Sequence, residues 1–313
     1  MEALPKNGYL DFHRDTLEVV RREVGLHRPG EMADAVRILD DWVKQQKHFL
    51  KKDFSPIFLE NTIVTSKGSL ERAKSNLDKI VTMRTHLPKY FQPTDIRKDV
   101  ATYRDRTNIV ISPQLTKEHH RFIIAKFGEG LDDKNLIDYS YRVYFSIVDY
   151  MKAFDYNSGI ELVYDLTNAD IRTLLTHVDL MELKNIYISL MECHGLRVKK
   201  IHIITSSKLM DTLLSFFKQV LKRKIIDRIS IHKSMDSLRD HYPLDMLPKE
   251  YGGTGKSLQE LQDLLASFLS SDEYQAHVRS MSTALVDENL RPSADYNDKY
   301  AGTYGSIRSL TID

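Results

Sequence analysis

Strand and helix patterns alternate along the middle of this chain, and this alternation limits the available folds more than any other feature. Arg121–Phe127 is a short apolar run, Gly159–Asp165 alternates apolar and polar residues with period two, and Val198–Thr205 is a third strand-like segment. Segments with helical spacing, Leu136–Phe154 and Val178–Met191, lie between them. The pattern therefore predicts an α/β fold in which helices cover a sheet.

The first ninety residues carry helical patterns only. Apolar residues at Ala35, Leu39 and Val43, with Ile38 and Trp42, recur at the spacing of a helix that packs on one face. A second helix is predicted over Leu70–Met83, with Ser69 as its N-cap. Pro88 and Pro93 should interrupt the helical run. Beyond the sheet, Ser257 and Glu260 form a capping-box pattern that starts a late helix.

These patterns predict three parts: an N-terminal helical domain at residues 1–92, an α/β domain at 93–270, and a C-terminal helix with an irregular tail at 271–313. The net charge of +1 leaves no global field that would attract nucleic acid. The sequence shows neither an apolar run long enough to span a bilayer nor a signal peptide. A single cysteine, Cys193, fits a reducing compartment, so we expect a cytoplasmic monomer.

Motifs that would indicate catalysis are absent from the sequence. It contains no GxSxG, HExxH, Walker or GxGxxG pattern. The glycine-rich stretch 252–256 is best explained as a turn after Pro248, and Asp165 and Asp170 as carboxylates that cap the turns following a strand. His119–His120, and His232 with His241, are possible metal ligands, but twelve histidines need no metal. We expect a protein without catalytic activity, cofactor or metal.

An amphipathic stretch, Leu209–Lys222, is the first feature that indicates a function. Its apolar residues fill one arc of about 160° on a helical wheel, and polar residues fill the rest. One interpretation is an ordinary surface helix over a core. The other is a helix that covers a lipid cavity and swings out to place Phe216 and Phe217 in a bilayer. Periodicity does not separate the two, because a cavity wall and a packed core present the same face.

Basic charge is concentrated around the same stretch. Residues 197–239 contain eleven basic and three acidic residues, a net charge of +8 in a chain whose total is +1. This concentration is either a solvated face balanced by acids elsewhere in the fold or a patch for anionic headgroups. Each basic residue near an acidic bilayer contributes roughly 1 kcal/mol to membrane binding. The position beside an amphipathic helix favours a membrane surface.

The sequence at these positions resembles the CRAL-TRIO lipid-binding family, in its tocopherol-transfer and retinaldehyde-binding branch. Several segments share this resemblance in order and spacing, and together they run from about residue 15 to the end. They are LDDWVKQQKHF (39–49), LERAKSNLDKIVTMRTHLPKYF (70–91), GIELVYD (159–165), LRVKKIHII (196–204), LKRKIIDRISI (221–231), LPKEYGG (247–253) and the tail from Val286 to Asp313.

The resemblance implies a helical N-terminal domain followed by a mixed β-sheet, flanked by helices, that encloses an apolar ligand cavity under a helical lid. It implies carriage of one small hydrophobic ligand of the tocopherol, retinoid or carotenoid class between membranes, and transient docking on phosphoinositides. The phosphoinositide-binding positions would be Arg197, Lys199, Lys222, Lys224 and Arg228. Many members also carry an arginine-rich segment in the helical domain, where this chain has Phe58–Thr62, so a contact from that domain is in doubt.

The resemblance also implies a set of cavity-facing positions, each of which fits a plain packed core equally well. They are Tyr141, Tyr144, Phe145, Val148, Ile160, Leu162, Tyr164, Ile186, Leu190, Val198, Ile201, Ile203, Leu209, Leu213, Phe216, Phe217 and Val220. Two further hypotheses remain open. One is a phospholipid or phosphoinositide exchanger that regulates lipid signalling, with Tyr139, Tyr144 or His202 serving a headgroup. The other is a protein-interaction module whose cavity is filled by side chains.

Overall fold

The computed structural model describes residues 3–6, 8–91, 95–219 and 221–292. The N-terminal part is helical, as the sequence predicts. Its helices are α1 (Thr16–Glu23), α2 (Glu31–Gln45), α3 (Pro56–Thr65) and α4 (Leu70–His86). Serine N-caps begin α3 and α4. The hydroxyl of Ser55 accepts a hydrogen bond from the backbone N–H of Phe58, and that of Ser69 accepts one from the N–H of Arg72.

The remaining elements form the α/β part and its C-terminal extension. In chain order they are α5 (Ile96–Tyr103), β1 (Thr107–Leu115), β2 (His120–Phe127), α6 (Lys134–Phe154), β3 (Gly159–Asp165), α7 (Ile171–His177), α8 (Leu180–Tyr187), β4 (Val198–Ile204), α9 (Met210–Phe217), α10 (Arg223–Ile226), β5 (Ile229–His232), α11 (Leu258–Leu269) and α12 (Asp272–Met281). A stretch of π-helix, Ile188–Cys193, continues α8.

The sheet is mixed, with strands in the order β1-β2-β3-β4-β5. Strands β1 and β2 are antiparallel, and β2 to β5 run parallel to one another. This confirms the α/β fold with a mixed sheet. The alternation of side chains gives the sheet two apolar faces: Leu162 and Ile201 belong to the largest core, whereas Val163 and Ile204 belong to a second core on the opposite face.

A third core lies within the helical part, and the end of the chain returns to it. Leu39, Phe58 and Leu77 are fully buried there together with Met281 and Val286. An isolated β-bridge pairs Phe49 with Val286, two residues beyond Ala284 in the same core. The C-terminal segment after α12 therefore packs on the helical part before residue 292.

A buried ion pair stabilises the antiparallel edge of the sheet. Arg121 donates to both carboxylate oxygens of Asp155, at 3.0 and 2.6 Å, and both side chains are fully buried. Asn61 on α3 donates to backbone carbonyl oxygens at the end of α6, including that of Asp155 at 2.8 Å. These contacts join the helical part to the α/β part and hold α6, which forms one wall of the candidate site.

The structure differs from the sequence-based prediction in several local details. The predicted helix over 178–191 is α8 followed by π-helix, and α7 and β5 were not predicted. The amphipathic stretch is helical only over Met210–Phe217, because the backbone turns after Phe217 before α10 begins.

Two predictions lie partly outside the described residues: the position of Val220 and the tail beyond residue 292. None of the helices among the described residues is long and apolar enough to cross a membrane.

Candidate functional site

An apolar pocket of about 240 Å³ lies between the sheet, α6, α7, α8 and the segment from α9 to α10. Its floor is made by alternate residues of the central strands, Leu162 and Tyr164 on β3 and Ile201 and Ile203 on β4. Period-two alternation places these four side chains on one face of the sheet.

Many of the residues that the family resemblance implied do line this pocket. They are Tyr141, Tyr144, Leu162, Tyr164, Ile186, Leu190, Ile201, Ile203, Leu213 and Phe217. Others lie elsewhere. Phe145 and Val148 pack with Tyr90 in a separate cluster. Phe145 follows Tyr144 by about 100° around α6, whereas Val148 lies one turn after Tyr144, beyond the part of α6 that lines the pocket.

The other implied positions that do not line the pocket lie in other parts of the structure. Ile160 and Val198 stand at the beginnings of their strands and are buried in the largest core, whereas the pocket lies towards the strand ends. Leu209 and Phe216 are partly buried but outside the lining. Val220 lies outside the described residues.

Sequence reasoning missed a large share of the lining. The missed residues are Phe127, Leu131, Leu136, Ile137, Ser140, Leu166, Leu174, Val178, Leu183, Tyr187, Met191, Leu221, Ile225 and Ile229. Leu174 and Val178 belong to α7 and its C-cap, an element that was not predicted. Tyr144 and Ser140 are one helical turn apart, so the i, i+4 spacing on α6 was the available signal for Leu136, Ile137 and Ser140.

The segment from α9 to α10 covers one side of the pocket, and we call residues 205–228 the lid segment. Four apolar side chains of the lid segment line the pocket, those of Leu213, Phe217, Leu221 and Ile225. Its end is attached to α8 by a hydrogen bond of 3.4 Å from the Lys222 N–H to the Tyr187 hydroxyl. Apart from Met210 and Leu213, the described residues of α9 are only partly buried or exposed, so little of this helix is in the core.

Polar groups are few inside the pocket. The Ser140 hydroxyl is used within α6, where it donates to the Leu136 carbonyl at 2.8 Å. The Tyr144 hydroxyl is buried, and among the described residues no partner completes a hydrogen bond with it, although the phenol of Tyr164 lies beside it. Burial raises the pKa of both phenols, which therefore stay protonated. Tyr144 thus carries a buried hydroxyl that forms no hydrogen bond among the described residues.

Basic side chains gather on the surface beside the lid segment. Lys224 is exposed, and it lies near Lys67, which is also exposed, in the turn between α3 and α4. The charge of Lys224, followed by partial burial and then by the charges of Arg197, Arg72 and Arg228, lowers the pKa of Lys67. We call Lys67, Arg72, Arg197, Lys224 and Arg228 the basic patch. Lys67 and Arg72 were not predicted, since they are far from the others in sequence.

The remaining residues implied for phosphoinositides differ in how free they are. Lys199 and Arg197 are ion-paired with Glu23 of α1 at 3.0 and 2.6 Å. Lys222 pairs with Glu192 at 2.7 Å but stays exposed. Arg228 donates to the Val198 carbonyl. Lys224 and Lys67 therefore carry the charges of this group that are the most available to an anion.

The segment that replaces the family's arginine-rich stretch is part of the interior. Glu60 is fully buried, and it accepts hydrogen bonds from Arg21 at 2.9 Å and from the Tyr156 hydroxyl at 2.7 Å. It is therefore committed to holding α1 and α3 together. The positive charge that the helical part provides to the basic patch comes from Lys67, in the turn after α3, and from Arg72 on α4.

Asp165 and Asp170 form the turn and cap contacts that the sequence predicts. Asp165 accepts from the backbone and hydroxyl of Thr167, at 3.0 and 2.6 Å, and Asp170 caps α7. In the glycine-rich stretch, a Cβ on Gly253 would lie 2.0 Å from the Leu247 carbonyl oxygen, so this position requires glycine for close backbone packing.

The fold places an apolar pocket between a mixed sheet and the helices that cover it. Residues 105–253 match the family model of the CRAL/TRIO domain. This match confirms the resemblance for residues 105–253. Proteins of this family bind small lipophilic ligands and transfer them.

Relatives named alpha-tocopherol transfer protein-like are similar over most of the chain. The mouse protein is 23% identical over 272 residues, which cover 85% of this chain and 78% of the relative. The human protein is 21% identical over 273 residues, with the same coverage. A solved structure titled "Crystal structure of Sfh5" aligns with a TM-score of 0.45 at 9% identity, covering 81% of this chain and 93% of that one.

Proposed function

We propose that this protein binds one small hydrophobic ligand of the tocopherol, retinoid or carotenoid class in the pocket and transfers it between membranes. The observation that carries the proposal is the pocket of about 240 Å³ with an almost wholly apolar lining. Ligand sites of this kind typically measure about 300–1,000 Å³, so the lid segment would have to move outward to admit a ligand with a long tail.

The composition of the lining supports an apolar ligand over a phospholipid. A phospholipid headgroup needs several buried polar partners, and a charged one needs compensating charge. The described lining contains no charged side chain, and Tyr144 offers the main unused polar group. His202 faces the other side of the sheet, next to Tyr242, and Tyr139 is in the core outside the lining. A ligand with one hydroxyl or carbonyl fits this arrangement.

The lid segment and the basic patch are neighbours, and this supports docking on anionic membranes. Lys224 lies on α10, within the lid segment, and belongs to the basic patch. Burial of several hundred Å² of ligand contributes on the order of 10 kcal/mol at roughly 25 cal/mol per Å², so release into water would be slow. Binding of headgroups beside the lid would favour its open state by differential affinity, in contact with a bilayer that accepts the ligand.

Mass spectrometry of organic extracts from the purified protein tests the ligand class. An isoprenoid, tocopherol or carotenoid at close to one molecule per chain is the expected result. A bound phospholipid would instead favour the exchange hypothesis. If extracts are empty, the protein is incubated with vesicles that contain α-tocopherol or all-trans-retinol and extracted again. Failure to retain either ligand would contradict the proposal.

A transfer assay tests docking separately. The double variant Lys67→Ala/Lys224→Ala should slow ligand transfer to vesicles that contain a phosphoinositide, by roughly tenfold or more if each charge contributes about 1 kcal/mol. Ligand affinity should not change, because neither residue lines the pocket. Lys98→Ala, an exposed lysine on α5, is the matched control. Equal transfer rates for the double variant and the control at low salt would remove the docking role.

A further inference from the structure

A cluster of three histidines lies on the face of the sheet opposite the pocket. His202 is on β4, His232 is on β5, and His241 follows the turn of 3-10 helix at Met235–Asp240. One nitrogen of each ring lies within 4.8 Å of the others. His202 is only 1% exposed, whereas His241 is exposed. The cluster therefore runs from the interior to the surface, at the edge of the described sheet.

The hydrogen bonds of the cluster assign its protons. The Ser237 hydroxyl donates to the Ser234 carbonyl at 2.7 Å, so it must accept from Nδ1–H of His232 at 2.8 Å. Nε2 of His232 then carries a lone pair, which accepts from Nδ1–H of His202 at 2.8 Å. Both rings are neutral in this arrangement.

This assignment leaves one ring nitrogen of His202 without a hydrogen bond among the described residues. Its Nε2 carries a lone pair that is buried and has no hydrogen-bond partner among the described residues. A buried lone pair without a donor is uncommon, and a metal ion is one of the few species that would satisfy it.

We propose that His202, His232 and His241 bind one Zn²⁺ ion, with water as the fourth ligand. Neutral imidazoles are ordinary zinc ligands, and three of them with one open position is an established donor set. Zinc–nitrogen bonds of about 2.0–2.1 Å place tetrahedral ligand atoms about 3.3 Å apart. To bind through its unused Nε2, His202 would give up the hydrogen bond between its Nδ1 and Nε2 of His232, and both rings would turn towards exposed His241. Ser237 would then orient His232 from the second shell.

A neighbouring cluster, Glu118, His120 and Glu161, is less suited to a metal. Both carboxylate oxygens of Glu161 are already used, since one lies 2.6 Å from Nδ1 of His120 and the other accepts from the Tyr242 hydroxyl at 2.6 Å. Lys200 adds a cation 3.4 Å from the first oxygen. The histidine cluster has no such competing charge in direct contact with its rings, so the structure favours it as the site.

The histidine cluster lies close to the points where the lid segment leaves and rejoins the sheet. The lid segment leaves the sheet after Ile204, two residues beyond His202, and returns to it at Ile229, three residues before His232. Zn²⁺ would therefore fasten the two strands that flank the lid segment, and through His241 it would attach them to the turn that follows β5. The pairing of β4 with β5 is shorter than that of β3 with β4, since it covers only Ile201–Ile204 against Ile229–His232.

Calorimetric titration of ZnCl₂ into the full chain, after dialysis against a chelator, tests the proposal. We expect one Zn²⁺ per chain with a Kd in the micromolar range or tighter, and a rise in Tm at saturation. Co²⁺ in place of Zn²⁺ should show the visible bands of a tetrahedral complex. The absence of stoichiometric binding at micromolar protein would overturn the proposal.

Variants locate the ion. His241→Gln and His232→Gln should each weaken Zn²⁺ binding at least tenfold, whereas His177→Gln, at an exposed histidine on α7, should not. Because His241 is exposed, its variant should keep the metal-free Tm of the parent, which separates loss of the site from loss of the fold. Zinc binding that survives in His241→Gln and His232→Gln places the ion elsewhere and rules out this site.

Discussion

Arg197 donates a hydrogen bond of 2.6 Å to Oε1 of Glu23, and Lys199 donates to the same oxygen at 3.0 Å. One carboxylate at the end of α1 thus compensates two cations at the start of β4. Burial alone would raise the pKa of Glu23, but Lys199 and Arg197 outweigh it and hold this pKa below its usual value. Glu23 is therefore ionised at neutral pH and reduces the net charge beside the basic patch.

Glu23→Gln should strengthen binding to anionic vesicles, because it releases Arg197 and Lys199 from their counter-charge. One added positive charge contributes about 1 kcal/mol at such a surface, which corresponds to roughly a fivefold lower Kd. Vesicle co-sedimentation with and without anionic lipid measures it. Glu18→Gln on the same helix, whose carboxylate pairs with exposed Arg22, is the control. Unchanged binding of Glu23→Gln would mean that these two cations do not face the membrane.

Replacing Leu162 and its neighbour Val163 on β3 by phenylalanine should destabilise the protein to different degrees. Leu162 lines the pocket, so the larger ring of Leu162→Phe can enter empty space and should cost less than about 1.5 kcal/mol. Val163 packs in the core on the other face, where overpacking costs about 1–3 kcal/mol or more. Urea denaturation compares them. Equal destabilisation by both substitutions would show that the space beside Leu162 is not available. Leu162→Phe should also retain less ligand.

Tyr144→Phe should lower the affinity for a ligand that carries a hydroxyl or carbonyl group, because it removes the unused hydroxyl in the pocket. A neutral hydrogen bond contributes about 0.5–1.5 kcal/mol, so the expected loss is roughly two- to tenfold in Kd. Fluorescence titration with retinol, set against a hydrocarbon analogue without the hydroxyl, measures it. Tyr141→Phe, at a second lining phenol, is the control. If both ligands lose affinity equally, Tyr144 acts by shape alone.

Lys152→Met should change the pH dependence of stability. Lys152 is buried on α6 and donates to the Thr65 hydroxyl at 2.8 Å, and burial lowers its pKa to about 7. Between this value and the unfolded value of about 10.4, the unfolded chain binds more protons than the folded chain. The free energy of unfolding of the parent, minus that of Lys152→Met, should therefore rise from pH 7 to pH 9. Denaturant titrations across this range measure it, and exposed Lys98→Met should show no such slope.

Cys193 should resist alkylation in the folded protein. The side chain is 1% exposed, and burial raises the pKa of its thiol to about 12. Its thiolate population is therefore negligible up to pH 9, and iodoacetamide should react at a rate set by unfolding. Mass spectrometry of native and urea-treated samples compares the two rates. Rapid modification of native protein would show that the segment around Cys193 opens without global unfolding.

Some of the architecture follows from short-range patterns. Period-two alternation predicted Gly159–Asp165 as a strand, and helical spacing with a serine cap predicted the helix that begins at Leu70. Ser257 and Glu260 form both hydrogen bonds of the predicted capping box. These features were accessible because each depends on residues within a few positions of one another. By contrast, β5 has only four residues, and its pairing partner lies on β4.

The sequence by itself determined which faces are apolar, where most helices and strands lie, and that basic charge gathers around the lid segment. Only the tertiary structure decided which of those faces border empty space, because a pocket wall and a solid core expose the same side chains to the interior. It also brought Lys67 to Lys224 and the three histidines to one another. Those encounters depend on how distant elements pack, which no local pattern encodes.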